Sequence, residues 1–160
     1  MRALAAFLAL FSVTAHAETL AGRVLSISDG DTLTLVDATN RQHKIHLAGI
    51  DAPELAQDFG QKSRTSLSAL AFNQQAVAQC MTDNRNQPAL CVVSIGGRDV
   101  GLEQLRAGMA WYRQENAQQT AQERADYEHA EFNAKIRRLG LWNTKNPTPP
   151  WDWRHGLPEH

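Results

Sequence analysis

Between Leu20 and Gly49 the chain sets three β-patterned runs one after another, and this density constrains the fold more than any other feature. "LAGRVLSI" (20–27) is rich in leucine and β-branched residues, "SDGD" is a turn signal, "TLTLV" alternates, "DATN" turns again, and "QHKIHLAG" returns as a third strand. In that third run Ile45 and Leu47 share one face and His46 takes the other. The pattern predicts an antiparallel meander. Leu67, Leu70 and Ala71 then recur at helical spacing, and two further strands are expected around Cys80 and Cys91. A Gly96-Gly97 turn leads to a short helix with Leu102, Leu105 and Met109 on one face. The last helix opens on a capping box, Thr120 to Glu123, carries a stripe of Ala125, Phe132, Ile136 and Leu139, and stops at Gly140. The proline-dense "NPTPPWDWRH" is predicted to be non-helical, with Trp151 and Trp153 docked on the body. Five strands with a helix between the third and fourth is the order of an OB-type β-barrel in an α+β fold.

The ends frame this domain. Arg2, the apolar run Ala3–Val13 and the small-x-small "AHA" ending at Ala17 form a secretory signal peptide pattern. The run is shorter than the roughly 20 residues of a membrane span. The expected division is therefore 1–17 signal peptide, 18–143 folded domain and 144–160 docked tail, exported to the periplasm or the medium as a monomer. Losing Arg2 from the 16 basic residues leaves 15 against 17 acidic ones, a net charge of −2. Such a chain has no global basic footprint, so any polyanion contact is local or bridged by a metal. In an oxidising compartment Cys80 and Cys91 read as a cross-strand disulfide, the alternative being two buried thiols.

The acidic residues carry the chemistry. Asp29 and Asp31 flank Gly30, while Asp51 and Glu54 flank Pro53. Alone, the first group is an ordinary hairpin turn and the second a cap followed by a solvated glutamate. Together they mean more. Asp31 begins the second strand and Asp51 is expected to end the third, so antiparallel neighbours bring both to one end of the sheet. Converging carboxylates suit a hard cation such as Ca²⁺ or Mg²⁺. Glu54 is placed to hold a water and take its proton.

The elements "SDGDTLTL", "IHLAGIDAPE", "FGQKSRTSLSALA", "GGRDVGLEQLRAGMAWY", "RRLGLW" and "PPWDWR" resemble the secreted bacterial thermonucleases, relatives of staphylococcal nuclease, from about Gly22 to Arg154. The resemblance implies an OB-fold barrel and Ca²⁺-dependent hydrolysis of DNA or RNA phosphodiesters. It implies calcium ligation by Asp31, Asp51 and the carbonyl of Ala52, with Glu54 as general base. It also marks departures. His46 stands where the family has an arginine and is a candidate for its catalytic role, the alternative being a drifted residue on an unused face. The family's Tyr-Gly-Arg loop is replaced by "MTDNRNQPALC", in which Arg85 is the one arginine and the candidate for the second role, the alternative being a solvated loop residue. Trp111 and Tyr112 are candidates to stack a base, although their place in an apolar run after a helix favours core or rim packing. The carboxylates favour a nuclease whose activity is reduced by the missing arginines. The alternative is a non-catalytic OB module that binds nucleic acid or protein.

Overall fold

Leu33, Leu35, Ile45 and Leu47 are buried, and they alternate with more exposed neighbours along their strands. That period of two curls the meander around one apolar interior. In the computed structural model the described residues are 17–81, 89–114 and 119–156. The strands are β1 (Ala17–Ile27), β2 (Thr32–Asp37), β3 (Gln42–Leu47), β4 (Ile50–Asp51), β5 (Gln75–Met81), β6 (Ala89–Ile95), β7 (Arg98–Asp99) and β8 (Trp111–Tyr112). The helices are α1 (Gly60–Ala71), α2 (Val100–Arg106), α3 (Ala121–Ile136), a 3₁₀ turn at Gly140–Asn143, and α4 (Pro150–Arg154).

The main sheet runs β3-β2-β1-β5-β6, and a parallel pairing of β3 with β6 closes it into a five-stranded barrel. β1 serves both of its edges, pairing with β2 and with β5. Its register shifts between Val24 and Ser26, an irregularity that bends a strand as closure requires. Cys80 and Cys91 are direct cross-strand partners on β5 and β6 and form a disulfide. Cys91 also pairs across the closing seam with Leu47. The bond therefore lies where the barrel shuts.

Several expectations need correction. Asp51 does not end the third strand. Gly49, at φ +76°, breaks the chain after β3, and Ile50–Asp51 forms its own short strand paired with β8. Met109 lies beyond the end of α2. On α3 the capping box is present, with the Thr120 hydroxyl accepting from the Glu123 N–H and the Glu123 carboxylate accepting from the Thr120 N–H. The buried face, however, is Tyr127, Ala130 and Ala134, while Phe132 and Ile136 are 60% and 64% exposed. Small alanines face the body here, and the bulky residues of the anticipated stripe point away. The tail also contains a helix after all. Pro150 occupies the first turn of α4, where a helix needs no N–H and the fixed proline φ is already correct.

The signal peptide expectation falls on residues of which 1–16 lie outside the described ones, and Arg85 lies outside them too. Among the described residues no helix is long and apolar enough to cross a membrane.

Candidate active site

The loop between β1 and β2 is held from beneath. Gly30 is buried so tightly against α1 that a Cβ there would sit 1.9 Å from Ser63 Oγ. Gln104 of α2, fully buried, donates from Nε2 to the Gly30 carbonyl (2.8 Å) and to the Ser63 carbonyl (3.1 Å), and its Oε1 accepts from Ser66 Oγ (2.6 Å). Above this support the Asp31 N–H donates to Asp29 Oδ1 (3.1 Å). Asp31 then reaches across to β4, its Oδ2 accepting the Ala52 N–H at 2.6 Å. Asp31 and the Asp51–Ala52 peptide thus meet at one end of the barrel.

Glu54 and Asp51 both face the tail. Arg154, the last residue of α4, donates from Nη2 to Asp51 Oδ2 (2.8 Å) and from Nη1 to Asp51 Oδ1 (3.2 Å) and Glu54 Oε1 (2.9 Å). The Asp51 hydrogen bonds above all, with those of Glu54, hold this guanidinium above its ordinary range. Two connections deliver it. Trp151 meets Trp111 edge-on at 6.4 Å between ring centres, Trp111 is the β8 partner of Asp51, and Arg113 lies 4.8 Å over the Trp151 ring. Buried Gln57 makes the second connection, accepting the Glu54 N–H at Oε1 (3.1 Å) while its Nε2 donates to the Thr148 carbonyl.

His46 of β3 is the direct cross-strand partner of Thr32 on β2. The Thr32 hydroxyl donates to Asp31 Oδ1 (3.1 Å) and lies 2.8 Å from His46 Nδ1. Asp31, 3.7 Å from Nδ1, raises the imidazole's pKa above its usual value, more than partial burial lowers it. Asp29 is itself raised, by burial first and then by the Asp31 charge. His43 is separate, bound to Asp37 at 2.7 Å. Tyr112 packs edge-on against Tyr127 at 5.9 Å, and its buried hydroxyl has no hydrogen-bond partner among the described residues.

The barrel end therefore gathers Asp31, Asp51, Ala52, Glu54 and His46. Tyr112 is joined to it through the β4–β8 pairing, with its side chain turned toward α3. Sequence reasoning missed Arg154, Gln57 and Gln104. For Arg154 a signal existed, since "PPWDWR" stood among the motifs and a charged residue ends an aromatic, docked segment. The two glutamines had none, because a lone Gln among polar residues reads as solvated.

The donor set consists of hard oxygens, which is the chemistry a Ca²⁺ or Mg²⁺ ion takes. Asp31, Asp51 and Glu54 outnumber the one guanidinium among them, so the charge balance also fits a further cation. The described residues alone do not form a cluster of three or more His, Cys, Asp or Glu side chains arranged as a metal cage. A carbonyl, water or substrate oxygen would complete the coordination, as hard cations commonly require.

Residues 44–144 match the staphylococcal nuclease homologue family. A Haemophilus influenzae protein described as an uncharacterized endonuclease is 39% identical over 132 residues, covering 82% of this chain and 71% of its own. A Shigella flexneri micrococcal nuclease is 35% identical over 165 residues, covering 96% and 91%. An Escherichia coli protein, also described as an uncharacterized endonuclease, is 32% identical over 136 residues, covering 84% of each. The chain belongs to the staphylococcal nuclease homologue family.

Proposed function

We propose that the protein is an exported nuclease that hydrolyses phosphodiester bonds of DNA or RNA with Ca²⁺. The observation carrying this reading is the meeting of Asp31, Asp51 and Glu54 at one barrel end within a family whose relatives are named endonuclease and micrococcal nuclease. Export rests on the Ala3–Val13 run and the "AHA" pattern ending at Ala17, and the Cys80–Cys91 disulfide suits an oxidising compartment.

The metal would be held by Asp31, Asp51 and the Ala52 carbonyl, and when bound it would supply charge to polarise a phosphoryl oxygen. The remaining steps belong to side chains. Glu54 Oε1 is fixed by Arg154, and Oε2, which has no partner among the described residues, takes the proton of the attacking water. His46 presents the solvent-facing part of its ring to the same end of the barrel and, when protonated, adds positive charge there. The test is incubation of purified protein, starting at residue 18, with single-stranded DNA and with RNA, in calcium and in chelator. Calcium-dependent cleavage is expected. A folded protein that cleaves neither substrate at high concentration would end this reading and leave a non-catalytic binding module.

A further inference from the structure

The geometry points to Arg154 of the C-terminal helix as the phosphate-binding arginine of this site, an inference that rests on the nuclease reading above. A guanidinium has five N–H donors in a rigid plane. Both hydrogens of Nη1 are directed to carboxylates, one to Asp51 and one to Glu54, and one hydrogen of Nη2 goes to Asp51. Among the described residues nothing takes Nε–H or the second Nη2–H. These two lie side by side on one edge of the plane and form the fork that binds two oxygens of a phosphodiester. The side chain is 46% exposed, so the group is reachable from solvent. The opposite edges are clamped, which orients the fork before any ligand arrives.

Electrostatics favour such a group beside the metal. Asp29, Asp31, Asp51 and Glu54 converge on this end, and a phosphodiester is also anionic, so a substrate meets repulsion unless fixed cations face it. Of the other candidates, His46 has its Nδ1 engaged with the Thr32 hydroxyl and has no planar fork. Arg154 also touches Glu54 directly, so a phosphate on its fork lies beside the carboxylate assigned to proton removal. The tail is thereby an arm of the active site rather than a cover on it.

The test compares Arg154→Ala and Arg154→Lys with wild type in the full mature chain. Binding of a short, dye-labelled, phosphorothioate-linked single-stranded DNA is followed by fluorescence anisotropy in calcium at several salt concentrations. Cleavage of ordinary DNA is measured alongside, and thermal melting confirms the fold. Arg154→Ala is expected to weaken binding and to reduce the slope of log affinity against log salt by about 0.7, the value for one lost contact to a single strand. Arg154→Lys keeps the charge but not the fork, and kcat should fall by about 10²-fold, the scale of one preorganised donor. Unchanged affinity and salt slope in Arg154→Ala would overturn the proposal, even if kcat fell, because Arg154 would then only position Glu54. Should Arg154→Ala fail to fold, wild-type binding and kcat in Arg154→Lys would overturn it equally. If wild type bound through Arg154 yet cleaved nothing, the phosphate contact would stand and the nuclease reading would fall.

Discussion

The two halves of the site are held by different means. The anionic half is part of the barrel: Asp31 follows a loop pinned by fully buried Gln104, and its carboxylate caps the backbone of the neighbouring strand. The cationic half is docked. Arg154 arrives on a five-residue helix whose attachments are ring contacts, one buried amide and its own ion pairs. A site built this way can lose its guanidinium without losing its fold, whereas the carboxylates can be displaced only by disturbing the barrel.

That contrast can be tested at decreasing scale. The largest effect is expected from Glu54→Gln, which should lower kcat by about 10³-fold, within the usual range of general-base catalysis, with a much smaller change in oligonucleotide affinity. An equal loss of both would give Glu54 a positioning role and make the docked half the more important. Next is the disulfide. It closes an 11-residue separation at the barrel seam, and reduction should cost about 3 kcal/mol, read as a lowered urea midpoint. Two titratable thiols in freshly purified exported protein would remove that clamp. Gln57→Ala should cost about 1–3 kcal/mol by leaving the Glu54 N–H and the Thr148 carbonyl without their partner. Its particular sign is a change in tryptophan fluorescence from Trp151. If that fluorescence were unmoved, the tail would be held by something other than this amide.

The smallest effect concerns pH. The His46 pKa is raised in the folded protein, so its contribution to stability is fully present below about 6.5 and is lost as pH rises through the folded value. Urea unfolding of wild type minus His46→Ala, in chelator, should show that decline. NMR should place the His46 midpoint above that of an unstructured histidine, and calcium should move it down. A midpoint insensitive to calcium would separate His46 from the anionic half.

Much of this was legible in advance, for identifiable reasons. Strand alternation located the meander, and "DGD" and "IDAPE" marked the carboxylates because backbone geometry and short spacing carry local information. The cysteines could be paired because both lie in strand-like runs joined by a polar turn and the leader pattern implies an oxidising compartment. The α3 stripe misled because it weighted Phe132 and Ile136 by hydrophobicity, whereas the helix packs through Ala130 and Ala134, where close approach matters more than size. The helix in the tail was hidden by counting prolines without asking which turn they occupy. Gln104 and Gln57 were illegible because the value of a buried amide lies wholly in its partners, which are distant in the chain.

Arg154 stands 103 residues beyond Asp51 and 100 beyond Glu54. A ribosome reads those codons in order, so a growing polypeptide carries Asp51 and Glu54 long before Arg154 is joined to it. Arming of the site is thus deferred until that residue is added, and premature termination anywhere in that interval yields a product without Arg154.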